Sequence, residues 1–384
     1  MINIAVMGYG TVGSGVVEVI NTNGARINQR IGDELNIKYV LDMKDFPGDP
    51  VQEKIVHDFE TIVSDEDVQI VVEVMGGIEP AYTFVKRCLQ AGKSVATSNK
   101  ALVAKHGAEL LSIAAEHDIN FLFEASVGGG IPIIRPLNSS LTADEIEEIT
   151  GILNGTTNYM LSKMFYEGAD YDTVLKEAQA NGYAERNPEA DVEGYDAGRK
   201  IAIMASIAFN SRVTFSQVYT EGITKISADD IRYAKEFGYV IKLLGVARNV
   251  DGQIEVKVHP MLIDENHPLA TVKDAFNAVF VHGDAMDDAM FMGRGAGEMP
   301  TASAVMGDII DVMRDIVCDC CGRIGCSCYK NLPMQPVGDS RHRYFLRFLV
   351  EDRTGILAGV AGVLGNNGVS ISQVIQKPAV DGVA

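Results

Sequence analysis

The sequence predicts an α/β protein that opens with a Rossmann-type, doubly wound parallel sheet and continues into an α+β domain. In the first third of its 384 residues, short apolar runs alternate with amphipathic segments of helical spacing. A glycine-rich turn follows the first apolar run directly, and from residue 126 glycine, proline and serine become frequent. Strands separated by helices imply right-handed crossovers, which produce a parallel sheet covered on both faces.

The first domain is predicted to span residues 1–125. Its strands are expected in five apolar runs: INIAVMG, IKYVLD, VQIVVEV, KSVATS and INFLFEA. Amphipathic helices are expected between them, in TVGSGVVEVINTN, PAYTFVKRCLQAG and ALVAKHGAELLSIAAEHD. This order of elements is typical of a nucleotide-binding domain.

The second domain, residues 126–318, starts with a hinge, SVGGGIPIIRPLNSSL, and continues with helical patterns. Strands are predicted in EIEEITGIL, EVKVHPMLI and NAVFVHG, and a strong helix in TASAVMGDIIDVMRDIV. Residues 319–342 are predicted to form a cysteine-rich linker. Residues 343–384 then show a strand, a helix and a strand in YFLRFLVED, RTGILAGVAGVLGNNG and VSISQVIQ, which is half of a ferredoxin-like βαββαβ unit. We therefore expect a truncated module or one that a partner completes.

Composition excludes several classes of partner. The formal net charge of −19 repels polyanions, so nucleic acid and anionic membrane surfaces are not expected partners. Apolar runs stay shorter than the roughly 18 residues that span a bilayer, and Met1 leads straight into a strand without a basic leader. We expect a cytoplasmic protein.

Five of the six cysteines are concentrated between Cys318 and Cys328. Their spacing, C-x-C-C-x4-C-x-C, differs from the paired C-x2-C arrangement of zinc sites, and thiols in a reducing cytoplasm stay reduced. An inert linker, a redox-sensitive segment and a metal site remain open, with the inert linker favoured.

The turn after the first strand has the form GxGxxG, from Gly8 through Gly10, Thr11 and Val12 to Gly13. It lies between a strand and a helix, which is the context in which this motif indicates dinucleotide binding. Gly8 permits the tight turn, Gly10 allows the backbone to approach the pyrophosphate, and Gly13 allows close packing of helix on strand.

The choice between NAD and NADP stays open in the sequence. Asp42 ends the second strand, where a carboxylate accepts a hydrogen bond from the ribose of NAD. Lys44 instead suits a 2′-phosphate, and an insertion lengthens the spacing from the glycine motif beyond the usual ~20 residues. Asp42 favours NAD slightly.

Two lysines and an acidic segment are the candidates for chemistry. Asp196 and Lys200 lie four residues apart, so a helix places them on one face. Lys100 follows a strand end, where open α/β sheets bind ligands. Because reduction of a carbonyl by hydride requires a proton donor, the two lysines are plausible partners in one site. The alternative is that the acidic residues between Gly182 and Lys200 only complement a helix N-terminus in solvent.

Two glycine-rich loops complete the set of motifs. The first, EASVGGGIP, begins with Glu124 and combines a carboxylate with turn carbonyls, a ligand set that suits a hard cation. A plain hinge is an equal alternative. The second, GRGAGEMPTAS, contains Gly297 and precedes a helix, where a ligand can approach the backbone closely.

Together these motifs resemble the homoserine dehydrogenase family over nearly all of residues 1–318. The matching segments appear in the family's order: GYGTVGSGV, TSNKALVAKHG, EASVGGGIPIIRPL, GILNGTTNYML, EAQANGYAERNPEADVEGYDAGRKIAI and GRGAGEMPTASAVMGDI. The segment from Arg343 resembles the first half of an ACT domain, a regulatory amino-acid-binding module. The resemblance implies NAD(P)-dependent interconversion of L-homoserine and L-aspartate 4-semialdehyde in the biosynthesis of threonine, methionine and isoleucine.

The resemblance also implies residue roles. Lys200 resembles the proton donor, Lys100 its partner near the nicotinamide, and Asp196 the residue that orients them. It further implies a homodimer or homotetramer, threonine as an effector, and a monovalent cation, Na⁺ or K⁺. The remaining assignments are Glu185, Asp191, Thr156 and Tyr183 for substrate, Gly297 for cofactor, and Glu124, Val127, Gly129 and Ile131 for the cation.

Two other functions were weighed against this one. A phosphorylating aldehyde dehydrogenase acting on the same aldehyde requires a thiolate nucleophile, and no cysteine is well placed for it. A non-catalytic sensor that combines a nucleotide-binding domain with an ACT module would not require both lysines and Glu185.

Overall fold

A computed structural model describes residues 1–377, and the chain divides into a unit from Met1 to Ser340 and a second unit that begins at Arg341. The first unit contains two six-stranded sheets. Among the described residues, no helix is both long and apolar enough to cross a membrane.

The first sheet is parallel throughout and has the strand order β3-β2-β1-β4-β5-β6. The order reverses at β1, so a crevice opens beyond the carboxyl ends of β1 and β4, where such sheets bind ligands. The predicted doubly wound sheet is confirmed, with the short β3 added. The strands are β1 Ile2–Met7, β2 Leu35–Leu41, β3 Ile55–Val56, β4 Val68–Glu73, β5 Ser94–Thr97 and β6 Phe121–Leu122.

Helices cover this sheet, and α1 accounts for the unusual spacing in the sequence. The helix predicted to stop near Asn23 continues to Ile31, so the inserted residues lengthen the helix instead of forming a loop. The last α-helix of the first unit, α11 (Glu298–Val317), packs on α1 so closely that a Cβ at Gly15 would lie 3.1 Å from Cβ of Ala302. These helices are α1 Thr11–Ile31, α2 Glu60–Val63, α3 Ala81–Gln90, α4 Lys100–Glu116 and α11 Glu298–Val317.

The second sheet has the order β12-β11-β7-β9-β10-β8, with β8 parallel to β10 and the other neighbours antiparallel. The three predicted strands are present, and three more were missed. In β9 the run from Val240 to Ala247 is buried on both faces, so it lacks the period-two signal that separates a strand from a buried helix. The strands are β7 Ile146–Ile152, β8 Tyr219–Thr220, β9 Tyr239–Val250, β10 Gln253–Asp264, β11 Phe276–Gly283 and β12 Asp287–Arg294.

Six further α-helices belong to the first unit: α5 precedes β7, α6 to α9 lie between β7 and β8, and α10 lies between β8 and β9. The helix α9 carries the predicted Asp196 and Lys200. The cysteine-rich segment belongs to the same unit as far as Ser340, and backbone hydrogen bonds attach it there. Lys330 N–H donates to the carbonyl oxygen of Asn210 at 2.7 Å, and Gln335 N–H donates to that of Ile254 at 2.8 Å. The helices are α5 Ile134–Asn138, α6 Gly155–Glu167, α7 Tyr171–Ala180, α8 Glu189–Val192, α9 Tyr195–Ala208 and α10 Ala228–Glu236.

The second unit differs from its sequence prediction. Its helix, α12, forms at Ile356–Asn366 within the predicted segment. Between residues 341 and 377, the part of this unit that the structure describes, the predicted strands YFLRFLVED and VSISQVIQ are not formed. In a split βαβ arrangement the two flanking strands pair with a strand between them rather than with each other. The described segment contains no such strand, so the two predicted strands have none to pair with.

Gly13 and Gly24 lie on the same helix and provide a matched test of close packing. A Cβ at Gly13 would lie 1.9 Å from the carbonyl oxygen of Gly8, whereas one at Gly24 would meet nothing within 4 Å. We expect Gly13→Ala to lower the free energy of unfolding by about 1–3 kcal/mol through overpacking. Gly24→Ala should raise it by about 0.5–1 kcal/mol, because alanine loses less backbone entropy. Urea denaturation measures both, and equal midpoints would contradict the packing argument.

Candidate active site

The turn between β1 and α1 is shaped to receive a phosphate. Gly8 adopts φ 103°, a conformation that side-chain-bearing residues rarely adopt. Gly10 is the N-cap of α1 without a side-chain cap, and a Cβ there would meet nothing within 4 Å. The N–H groups of the first turn, which starts at Thr11 and Val12, have no acceptor within the helix. A helix N-terminus in this state attracts anions, so these residues fit the pyrophosphate of a dinucleotide.

The carboxylate of Asp42 is fixed beside that turn despite the long sequence spacing. Its Oδ2 accepts the backbone N–H of Tyr9 at 2.8 Å, and its Oδ1 accepts that of Lys44 at 3.0 Å. Two more carboxylates, those of Asp45 and Asp49, belong to the same loop. Tyr9 donates its hydroxyl to Asp49 at 3.0 Å, and burial together with Asp49 raises the pKa of Tyr9 to about 12.

Lys100, Asp196 and Lys200 form one cluster. Lys100 begins α4 directly after β5, where Asn99 caps the helix by accepting the N–H of Leu102 at 3.1 Å. Lys200 Nζ lies 2.7 Å from Oδ2 of Asp196, one helical turn earlier on α9. Lys100 Nζ binds the other oxygen, Oδ1, of the same carboxylate. One aspartate therefore joins two lysines, and the first of these, Lys100, lies 96 residues before it in the chain.

Burial separates the two lysines chemically. The side chain of Lys200 is 9% exposed, whereas that of Lys100 is 41% exposed. Burial lowers the pKa of Lys200, and the charge of Asp196 opposes that shift. Burial alone would raise the pKa of Asp196, but the charges of Lys200 and Lys100 hold it below its usual value. A lysine with a lowered pKa releases its proton more readily than an ordinary one.

Asn154 is part of this cluster, although the sequence analysis assigned it no role. It is 5% exposed, and its Nδ2 donates to Asp191 Oδ1 at 2.7 Å and to Asp196 Oδ2 at 3.0 Å. The carbonyl oxygen of Leu153, the preceding residue, accepts from Lys200 Nζ at 2.7 Å. The available signal was an asparagine between a strand and a helix, an N-cap position whose side chain points towards a strand end.

The substrate residues inferred from the family fall into two groups. Asp191 joins the lysine cluster through Asn154, as described above. Thr156 Oγ1 donates to the carbonyl oxygen of Tyr183 at 2.6 Å, which fixes the loop after α7. Glu185, two residues further on, is exposed, and among residues 1–377 its carboxylate takes part in no hydrogen bond or ion pair. Its charge is therefore available to a cation from solvent.

Glu124, which the family resemblance assigns to a cation site, also binds backbone groups of the protein. Its carboxylate accepts the backbone N–H groups of Ile133, Ile134 and Arg135 at 2.6, 2.9 and 2.6 Å. It thus satisfies the first turn of α5, and burial raises its pKa. The turn that carries Val127, Gly129 and Ile131 follows directly in the chain.

The two glycine-rich loops meet each other. Gly130 N–H donates to the carbonyl oxygen of Arg294 at 3.0 Å. A Cβ at Gly129 would lie 2.6 Å from the carbonyl carbon of Gly295, so only glycine fits at this crossing. Gly297 follows as the N-cap residue of α11. The second loop is therefore held against the hinge at the start of the helix that packs on α1.

Two of the cysteines, Cys88 and Cys328, are poorly suited to act as an activated thiolate. Burial raises the pKa of Cys88 to about 12, and burial together with Cys326 raises that of Cys328 to about 12. The cysteines also form no metal cluster among residues 1–377. The group of potential metal-binding side chains found there consists of His282, Asp287 and Asp288 and contains no cysteine. Nucleophilic thiol chemistry, the requirement of the rival aldehyde dehydrogenase, has no candidate in these two residues.

Three family models match the chain. The model described as "Homoserine dehydrogenase" matches residues 132–310, and "Homoserine dehydrogenase, NAD binding domain" matches residues 8–124. The model described as "ACT domain" matches residues 344–384.

Relatives with this description match almost the full length. The homoserine dehydrogenase of Corynebacterium glutamicum is 45% identical, over 98% of this chain and 86% of its own. That of Bacillus subtilis is 40% identical, over 98% of this chain and 88% of its own.

Solved structures of homoserine dehydrogenases are similar as well. The crystal structure from Thiobacillus denitrificans has a TM-score of 0.93 and 41% identity, covering 98% of this chain and 89% of its own. A hyperthermophilic archaeal enzyme in complex with NADPH has a TM-score of 0.70 and 27% identity, covering 81% and 97%.

Asp196→Asn tests whether this carboxylate holds the buried lysine. Removal of one partner of a buried ion pair leaves the other charge uncompensated, so we expect a loss of about 3 kcal/mol in the free energy of unfolding. Glu167→Gln is the control, because the Lys163–Glu167 pair is exposed and its loss should cost less than about 1 kcal/mol. Urea denaturation at pH 7 measures both variants. Equal losses in the two variants would show that Asp196 stabilises the protein no more than an exposed ion pair does.

Proposed function

This chain belongs to the homoserine dehydrogenase family, and we propose that Lys200 moves the proton in the reaction of that family. The reaction interconverts L-homoserine and L-aspartate 4-semialdehyde with NAD(P). The observation that supports the role of Lys200 is its burial in the Lys100–Asp196–Lys200 cluster beside a carboxyl end of the parallel sheet.

The dinucleotide, when bound, supplies or accepts the hydride. We propose that the turn from Gly8 to Gly13 binds its pyrophosphate with backbone N–H groups and that Gly297 lets the α11 loop approach it. Gly10, Thr11 and Val12 form the N-terminal end of α1 in that turn. Lys100 begins the helix after β5, which is separated from β1 by β4, and completes the proposed cofactor side of the site.

The protonation state of Lys200 determines whether it donates or accepts the proton in this reaction. In the reducing direction, charged Lys200 donates a proton from Nζ to the oxygen of the aldehyde as negative charge develops there. Asp196 keeps the lysine charged in spite of its burial, and Lys100 orients Asp196 from the opposite side. In the oxidising direction, neutral Lys200 accepts the proton of the alcohol.

The amino end of the substrate is a cation, and we propose that carboxylates receive it. Glu185 is exposed in the loop before α8, and Asp191 lies on α8 next to the lysine cluster. Thr156 and Tyr183 line the same pocket in this proposal. Fixing the ammonium group presents the carbonyl to Lys200 in one orientation, which lowers the entropic part of the barrier.

Lys200→Met is the direct test of this function. We expect kcat with aspartate semialdehyde and NADH to fall by roughly 10²–10⁴-fold, because general acid catalysis is lost. NADH binding, measured by fluorescence, should stay within about threefold, because Lys200 is not proposed to contact the dinucleotide. Lys163→Met, which removes a lysine from an ion pair on α6, is the matched control. Full turnover in Lys200→Met would contradict the assignment.

We also propose that the enzyme prefers NAD to NADP. Asp42 is fixed by two backbone N–H groups, so its carboxylate is in place to accept a ribose hydroxyl. A 2′-phosphate would instead meet this charge together with those of Asp45 and Asp49. His57 does not offset them fully, since its Nε2 is paired with Asp45 at 3.3 Å.

Cofactor preference is measurable by binding as well as by activity. We expect wild type to bind NADH at least about tenfold more tightly than NADPH, and Asp42→Asn to reduce that ratio by removing the repulsion. Asp67→Asn removes the same charge just before β4, at the amino end of a strand, whereas Asp42 follows the carboxyl end of β2, so it should leave the ratio unchanged. A ratio that is unaltered in Asp42→Asn would overturn the proposal.

Further proposals concern ions, effectors and assembly. A monovalent cation, Na⁺ or K⁺, is proposed at the carbonyl oxygens of Val127, Gly129 and Ile131 near Glu124. Threonine is proposed as an effector of the ACT segment, which the family model supports over residues 344–384. A homodimer or homotetramer is proposed through the second domain, residues 126–318, where partly buried Met261 and Phe280 lie on one face of the second sheet.

A further inference from the structure

We propose that Asn154 is a positioning residue that holds Asp191 and Asp196 in the arrangement that Lys200 requires. This inference rests on the proton-transfer role proposed for Lys200. It assigns Asn154 no contact with the substrate. Its effect is transmitted through the two carboxylates.

The hydrogen-bonding capacity of the Asn154 side chain is completely used. Its Oδ1 accepts the N–H of Thr157 at 2.9 Å and the hydroxyl of the same residue at 3.0 Å. Its Nδ2 carries two hydrogens, and the two carboxylates, Asp191 at 2.7 Å and Asp196 at 3.0 Å, take one each.

This pattern allows one orientation of the amide. In the flipped orientation, Oδ1 would face two carboxylate oxygens without a hydrogen between them, and Nδ2 would face the N–H of Thr157. Both changes replace attraction by repulsion inside a site from which water is largely excluded. The N-terminus of α6 therefore fixes where the amide hydrogens point, and these fix the carboxylates.

The carboxylates need such a donor because they belong to different helices and repel each other. Asp191 lies on α8 and Asp196 on α9, and Asn154 is the group that binds both. The Oδ2 atom of Asp196 accepts from Asn154 and from Lys200 Nζ together. Burial raises the pKa of Asp191, with the charge of Asp196 adding to the shift and the bond from Asn154 opposing it.

The consecutive residues Leu153 and Asn154 consequently hold Lys200 and its counter-ion Asp196. The carbonyl oxygen of Leu153 accepts from Lys200 Nζ at 2.7 Å, and the amide of Asn154 holds the counter-ion of that lysine. The charged groups around Lys200 are Asp196 on its own helix, Lys100 on α4 and Asp191 on α8. Asn154 touches two of these three, so a change there alters both the geometry and the charge around Lys200.

Asn154→Ser and Asn154→Asp separate positioning from capping. Serine and aspartate are both good N-cap residues, so either variant keeps an acceptor for the first turn of α6. Neither retains the amide hydrogens, and aspartate adds a negative charge. We expect kcat of aldehyde reduction to fall about tenfold in Asn154→Ser, because the reacting groups are less well aligned.

The dependence of kcat on pH distinguishes positioning from capping, because the loss of a helix cap alone does not change it. Reduction requires charged Lys200, so its rate falls as pH rises through the pKa of that lysine. The added charge in Asn154→Asp should raise that pKa and shift the alkaline limb to higher pH. Asp170→Ala removes the cap of α7 and should lower the melting temperature while leaving kcat and the limb in place.

The possible results are distinct. A kcat in Asn154→Ser within twofold of wild type, or an unmoved limb in Asn154→Asp, overturns the positioning role. The same series includes Lys200→Met as a reference. If Lys200→Met turns over normally, the proton-transfer proposal fails. If it is inactive while both Asn154 variants behave as wild type, only the present inference fails.

Discussion

A buried lysine that must stay charged is the constraint around which the site is organised. Lys200 is almost fully removed from water, so its ammonium requires a counter-charge and hydrogen-bond acceptors within reach. Asp196 and the carbonyl oxygen of Leu153 supply them. Lys100 binds the same carboxylate from α4, so the ion pair also connects the helices of the parallel sheet with those of the second sheet. Stability and the proposed proton transfer therefore depend on one interaction.

A second buried network fixes the hinge against α11. Asp308 accepts the backbone N–H of Glu124 at 2.9 Å and binds Arg135 at 2.9 Å, and Arg135 Nε lies 2.6 Å from Asp311. Burial, with the neighbouring charge of Glu124, raises the pKa of Asp308 well above its usual value. Arginine between two carboxylates of one helix locks that helix to the start of α5. Because α11 also packs on α1, the cofactor turn and the hinge share one rigid support.

The sequence predicted much of the fold and less of the site. The GxGxxG turn and the alternation of apolar runs sufficed for the first sheet, because each signal is local. β9 was missed because a strand buried on both faces has no alternation, and the strands after Arg343 were predicted although their pairing depends on residues elsewhere. Glu124 illustrates what a single residue type leaves out, since the sequence suggested a cation ligand and only the structure added its hydrogen bonds to the start of α5.

By itself, the sequence determined which groups are available: a phosphate-binding turn, two lysines, an acidic segment and the order of family motifs. The spacing of Asp196 and Lys200 even determined that they share a helix face. Only the tertiary structure decided that Lys100, 96 residues earlier, shares the same carboxylate, and that Asn154 joins Asp196 to Asp191. The physical reason is that such contacts arise where separate helices pack together, and burial there, rather than residue type, sets the charge and proton affinity of each group.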